Sequence, residues 1–588
     1  MKTLLRFLYL FLSLLLLLSS SCLQKRKTKA DLIVYNGVVY TVDSKFTTAE
    51  SFAVKDGRII AVGNSDSILS HFEAKEMLDA KGEAIYPGFI DAHCHFYGYG
   101  KSLQEVDLTG TQSFDEIITR LKDFVKQHPD LLADKNGRSN WIRGHGWDQN
   151  DWEVKEFPER RRLDSLFPET PVFLTRIDGH AALANGCALK QAGITEDRRI
   201  EGGRLGTRIW KGHNPDKMEI EHLGFEFLSG LLVDNAMSLV YQVMVRPSKT
   251  DMKRAFKDAQ RHCFAVGLTT VDDAGLEKEQ VDLINEMQKS GELKMRIYAM
   301  LTPSKENLDY YLAHGQYKTE RLNIRSFKFY ADGALGSRGA CLLQPYSDKP
   351  QEQGFLLNKP EYYRTMALEM FQKGFQMNTH CIGDSAVRMM LRLYEDIFQD
   401  YVLKGGHLKM NPRWRIEHFQ VTTAEDIVLL KGHGNSLISP LPSVQPTHAT
   451  SDMYWAEDRL GATRIRYAYA YKQLKEAAGR IALGTDFPVE DISPYKTFYA
   501  AVARMDAKGF PEGGFQPENA LSREDAIRGM TVWAAYANFE EKEKGSIEPG
   551  KFADFILVDK DLLKCGISDV LSATTQATYI NGERVFLR

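Results

Sequence analysis

No two of the seven cysteines in this 588-residue chain form a C-x-x-C pair, which removes a structural zinc knuckle and a thiol-redox motif from consideration. A basic excess is missing too. The formal net charge is −3, with no basic face or tail to hold a nucleic-acid backbone. Runs rich in glycine, serine and proline are few and no internal repeat is found, so neither a long disordered linker nor a repeat array is expected. Beyond Cys22, the cysteines Cys94, Cys187, Cys263, Cys341, Cys381 and Cys565 are far apart and mostly inside apolar segments, and read as buried thiols. What is present is a globular composition in a chain too long for one ordinary domain.

The first 22 residues stand apart. Lys2 and Arg6 open an apolar run that includes Leu14 to Leu18 and ends in Ser19-Ser20-Ser21-Cys22. A charged start, an apolar middle and small residues before a cut site describe a secretory signal. Cys22 in that place resembles the lipid-modified cysteine of bacterial lipoproteins, although Ser19 stands where such signals prefer leucine. The alternative is an uncleaved anchor, which the short run interrupted by Arg6 disfavours. The expectation is an exported protein with a signal over 1–22 and a membrane anchor on Cys22. Leu23 in place of aspartate points that anchor to an outer membrane, facing the periplasm.

Residues 30–86 alternate as short strands around Asn36-Gly37 and Asp56-Gly57, strong hairpin signals, and residues 545–588 do the same around Asn581-Gly582. Neither piece is stable alone, so one composite β-sandwich from both chain ends is expected. Between them, over 87–544, strand-like and helix-like segments alternate, which predicts a parallel α/β barrel. Candidate strands end near His93, Arg143, Leu174, Val271, Met300, Phe329, Thr379, Glu417, Ser439 and Gly484. That exceeds an eight-stranded (β/α)8 TIM barrel by two, and the surplus pair falls in 96–245, read as an insertion after strand one.

On this count the strand ends carry the chemistry. Strand one ends in His93 and His95, strand four carries Lys328, strand five ends in His380, strand six in His418 and strand eight in Asp486. Residues i and i+2 of an extended chain face one side, so His93 and His95 can aim at one point. Barrel active sites lie at the C-terminal strand ends, and this mix of imidazole and carboxylate suits zinc or a similar divalent ion. Cys94 points the other way and is not counted.

The segments Asp332-Gly333-Ala334-Leu335-Gly336-Ser337-Arg338, His380-Cys381-Ile382-Gly383-Asp384 and Gly484-Thr485-Asp486-Phe487-Pro488, with His-x-His before them, resemble the amidohydrolase superfamily. They look most like amidohydrolase family 3, the branch containing N-substituted formamide deformylases. The resemblance runs from about Asp31 to the C-terminus. It implies that His93, His95, His380, His418 and Asp486 bind one or two metals. In two-metal relatives a strand-four lysine becomes a bridging carbamate, a role that falls on Lys328; pairing with Asp332 or binding substrate in a one-metal site is the alternative. The implied reaction is hydrolysis of an amide-type C–N bond in a small molecule by metal-activated water, with Asp486 moving the proton and His380 and His418 assisting. Trp147 and His180 of the insertion, Asp273 after strand two, Arg338, and His448 after strand seven are candidate substrate contacts. The competing reading is a surface lipoprotein that binds a metal or metabolite without turnover; homo-oligomerisation is left open.

Overall fold

The computed structural model describes residues 27–132, 140–210, 225–404, 411–431 and 439–588. The signal and Cys22 lie outside the described residues, among which no helix is long and apolar enough to cross a membrane.

Eight parallel strands build the central sheet, each paired with the next: β1 (Phe89–Cys94), β2 (Leu268–Leu276), β3 (Arg296–Leu301), β4 (Leu322–Tyr330), β5 (Gln376–Cys381), β6 (Arg415–His418), β7 (Leu441–Val444) and β8 (Ala482–Leu483). Both faces of these strands are covered, and their side chains alternate accordingly. In β4, Phe327 and Phe329 join the outer apolar layer, Phe327 edge-on to Phe375, while Lys328 points inward. The helices outside present apolar stripes to that layer. Lys249–Ala265 starts in a Ser248–Asp251 capping box and buries Met252, Phe256, Ala259 and Cys263, spaced by turns of a helix.

The sheet closes where β8 meets β1. Asp486 N–H donates to His93 O (2.8 Å) and His95 N–H to Phe487 O (2.8 Å), while the Asp91 carboxylate accepts from Thr485 Oγ1 (2.7 Å). Gly484 permits this approach, because a Cβ there would meet His93 N at 2.5 Å and Asp91 Oδ1 at 2.8 Å. Gly484→Ala is therefore expected to destabilise the fold by about 1–3 kcal/mol through overpacking. A thermal melt superimposable on that of the unaltered protein would contradict the tightness of this seam.

The seventh strand departs from the sequence reading. It spans Leu441–Val444, after Ser439, and Leu437-Ile438 lie outside the described residues. Pro442 has no N–H to donate, so the segment does not read as a central strand, yet it pairs in register with Ile416 of β6.

Three further sheets flank the barrel. One holds, in order, Glu583–Leu587, Thr575–Ile580, Phe555–Val558, Ala84–Pro87, Val38–Tyr40 and Thr48–Ala49, so strands from both chain ends share it. Against it packs a four-stranded sheet of Arg58–Gly63, Ser51–Lys55, Thr28–Tyr35 and Phe72–Asp79, with Leu32, Val34, Phe52, Phe555 and Tyr579 in the shared core. Between β1 and β2 the chain forms a six-stranded sheet that runs from Val106–Asp107 through Ile142–Trp147, Val172–Arg176, Ala181–Ala184 and Phe225–Asp234 to Gly203–Trp210. The six described cysteines are all unpaired.

Candidate functional site

The C-terminal ends of β1, β6 and β8 bring three histidines around one carboxylate, and each ring is held by an acceptor on its Nδ1. His93 Nδ1–H donates to Glu417 Oε2 (2.6 Å), His95 Nδ1–H to Ala274 O (3.0 Å), and His418 Nδ1–H to Gln445 Oε1 (2.8 Å). An acceptor on Nδ1 fixes the tautomer and leaves the lone pair on Nε2, where an ion could bind; in His93 that lone pair accepts from Lys328 Nζ (2.9 Å). His93 Nε2 and His95 Nε2 lie 3.6 and 3.1 Å from Asp486 Oδ1. A lone pair that faces a carboxylate oxygen at such a distance calls for a cation between them.

Two atoms that each bind one zinc-like ion at about 2.0–2.2 Å lie no more than about 4.4 Å apart. Both separations satisfy that bound, as does His448 Nε2 at 3.7 Å from Asp486 Oδ2. Moreover, Asp486 Oδ1 and His448 Nε2 are buried without a hydrogen-bond partner, which is costly unless another ligand completes them. His93, His95 and Asp486 form one metal-capable triad, and His418, His448 and Asp486 a second. The residues fit the ion.

Backbone conformation makes the convergence possible. Glu417 and His418 are adjacent, so strict alternation would point them to opposite faces. His418 instead adopts φ 68° and Phe419 φ 46°, turning the chain so that Glu417 supports His93 while His418 also faces the site; Asp486 sits at φ 63°. Left-handed backbone at non-glycine residues is uncommon and concentrates at functional sites.

Lys328 lies inside the same cluster, its Nζ donating to His93 Nε2 (2.9 Å). Burial pushes its ammonium down to about 8, against the pull of Glu417 and Asp486. It does not pair with Asp332, whose carboxylate accepts the backbone N–H groups of Cys341, Ile382 and Gly383. Burial would raise the Asp486 carboxyl, but His93, His95 and His448 outweigh it and hold it well below the usual carboxylate range. His448 is pushed down to about 4, first by burial, and is neutral near pH 7. His380 stands ring to ring with His418 at 4.5 Å and donates Nε2–H to Gly333 O (3.3 Å), which leaves its lone pair on Nδ1.

A cavity of about 760 Å³ opens over these groups, lined by His95, Lys328, His380, His418, His448 and Asp486 and, from the insertion, His145, Asp148, Asp178 and His180. His180 Nδ1–H donates to the buried Asp234 (2.6 Å), and its ring lies 4.8 Å from that of His380. Gly333 lets the loop after β4 close over this pair, since a Cβ there would strike Asp234 Oδ2 at 2.5 Å.

Three expected substrate contacts are placed elsewhere. Trp147 is fully buried in the core of the insertion, donating its indole N–H to Leu174 O (2.8 Å). A register shift between His145 and Trp147, at Gly146 with φ 101°, breaks the i, i+2 relation, so His145 lines the cavity and Trp147 does not. Asp273 is buried beside β1, accepting from Tyr97 N (3.1 Å). Arg338 pairs with Asp348 (2.7 Å). Conversely, Glu417 and Gln445, which orient His93 and His418, and Asp91, which holds β8, were missed by the sequence reading. Glu417 and Gln445 each neighbour a conspicuous residue or loop, but nothing in their spacing marks them.

A family model described as "Amidohydrolase family" matches residues 76–586. Protein LONG AFTER FAR-RED 3 from Arabidopsis thaliana is 31% identical over 576 residues, 95% of this chain and 92% of its own. The N-substituted formamide deformylase of Arthrobacter pascens is 24% identical over 573 residues, 94% of this chain and 97% of its own. Among solved structures, an uncharacterized metal-dependent hydrolase from Pyrococcus horikoshii OT3 superposes with a TM-score of 0.69 at 26% identity, covering 91% of this chain and 99% of that one.

Proposed function

We propose, on the premise that the chain belongs to the amidohydrolase family, that this hydrolase cleaves a non-peptide, amide-type C–N bond of a small molecule. His93, His95, His418 and Asp486 would hold a divalent ion, zinc or a similar one, with His380 and Lys328 beside them. The observation that carries the reading is the Nε2 atoms of His93 and His95 facing a buried carboxylate oxygen that has no hydrogen bond of its own. The name of the Arthrobacter pascens relative supports an amide-type substrate, as does a cavity large enough for a small molecule but deep in a barrel end.

When bound, a divalent ion supplies Lewis acidity and lowers the pKa of water towards neutrality. The chain's own residues do the rest. Asp486, ionised at neutral pH, accepts a proton from the attacking water and returns it to the leaving nitrogen as the C–N bond breaks. Glu417, Ala274 O and Gln445 keep three imidazoles in one tautomer and so spare them from reorientation. His180, backed by Asp234, faces the same cavity from the insertion and is placed to contact the substrate.

Lys328 carries the finer choice between one ion and two. Its neutral form, accessible near pH 8, can add carbon dioxide and release a proton, turning a repelled cation into an anionic carbamate. Elemental analysis of protein purified without chelator, with and without bicarbonate, tests this. Two ions per chain, falling in Lys328→Ala, is the expected result; one ion, indifferent to Lys328, would return that lysine to substrate binding, and no ion under either condition would overturn the hydrolase reading.

A further inference from the structure

We propose that His448 is a metal ligand, paired with His418 around Asp486 Oδ2, in addition to the strand-end ligands. The inference rests on the hydrolase reading above in one respect, that an ion is bound at Asp486.

His448 lies outside the barrel strands, on the short helix Pro446–Asp452 that follows β7 directly. Its backbone N–H bonds Gln445 O (3.1 Å), and the Gln445 side chain holds His418, so one turn of chain positions both rings. The two imidazoles lie nearly parallel, 14° apart, with centroids at 5.8 Å. His448 is 9% exposed, and its Nε2 has no hydrogen-bond partner although it is buried 3.7 Å from Asp486 Oδ2. The ring lines the cavity, but its Nε2 is turned to the carboxylate, within the span that one ion bridges. The two oxygens of Asp486 are also divided, Oδ1 towards His93 and His95 and Oδ2 towards His448. His418 reaches Oδ2 as well, its Nδ1 lying 4.0 Å away, so His448 and His418 share that oxygen.

The test uses the full chain and zinc alone as probe. Equilibrium dialysis against zinc, with elemental analysis of the retained metal, is compared for the wild-type protein, His448→Phe and His448→Cys, and a thermal melt verifies that each is folded. Loss of a ligand atom in His448→Phe is expected to weaken zinc binding at one site by about tenfold or more, and His448→Cys, which returns a ligand atom, to recover it. Wild-type stoichiometry and affinity in His448→Phe, with only KM raised in turnover, would overturn the proposal and make His448 a substrate contact. Weakened binding in both variants alike would overturn it also, as the mark of a packing defect. Absence of zinc from the wild-type protein would defeat the hydrolase reading along with it, an outcome distinct from these because it does not depend on the variants.

Discussion

Asp486→Asn is expected to lower kcat by roughly 10²–10⁴-fold, the range over which a positioned acid–base group contributes. Asparagine keeps the shape and tolerates the left-handed φ of 63° at this position, so the fold should survive. What it removes is the charge that faces His93, His95 and His448, and with it the ionised carboxylate placed to take a proton near pH 7. Zinc binding should weaken alongside turnover, because both triads share this carboxylate. Steady-state kinetics and metal analysis on the same preparations separate the effects: in zinc-saturated protein the loss of kcat should persist. Near-wild-type kcat in Asp486→Asn would remove Asp486 from proton transfer.

The largest expected effect on stability comes from below the site. Arg415 is fully buried, donating to Ala92 O and to Asp272 Oδ2, each at 3.0 Å, and lying 3.8 Å from Glu417 Oε1. Arg415→Leu leaves two carboxylates in the barrel interior without their cation. Breaking a buried pair from one side costs about 3–5 kcal/mol. Burial already pushes Asp272 up to about 7, although Arg415 and Asn538 oppose it. A carboxyl whose folded pKa lies above its unfolded value binds more protons when folded, so stability falls as pH rises between the two. Without Arg415 the folded value climbs further, and the deficit of the variant should be larger at pH 8 than at pH 5.5. Thermal melts at the two pH values check this; equal deficits would show that Asp272 does not titrate in the interior.

The barrel was legible because strand-like segments alternate with helix-like ones and several of them end in chemically distinctive residues. His93, His95, His418 and Asp486 come together at the strand ends where the sequence reading put them. The sequence reading ends strand seven near Ser439, whereas β7 spans Leu441–Val444; Pro442 has the signature of an edge, which burial and register in a closed sheet override. Glu417 escaped notice for a sharper reason. Period-two alternation assigns Glu417 and His418 to opposite faces, and the left-handed turn at His418 is a property of the tertiary fold. The same holds for Trp147, which a one-residue irregularity moves from cavity to core. The approach of His448 to Asp486 joins β7 to β8 through space, and no spacing along the chain encodes it.

The sheet shared by both chain ends has a consequence for how the protein is made. Ala84–Pro87 pairs antiparallel with Phe555–Val558 and leads, after Gly88, into β1, the strand that carries His93. Until Phe555 emerges from the ribosome, that edge has no partner. At about 5–20 residues per second the wait is roughly half a minute to a minute and a half. The segment that leads into the ligand-bearing strand is thus synthesised early and waits for this partner until almost the whole polypeptide exists. A chain truncated before Phe555 would retain every residue named in the site and still lack the partner of the strand that leads into β1.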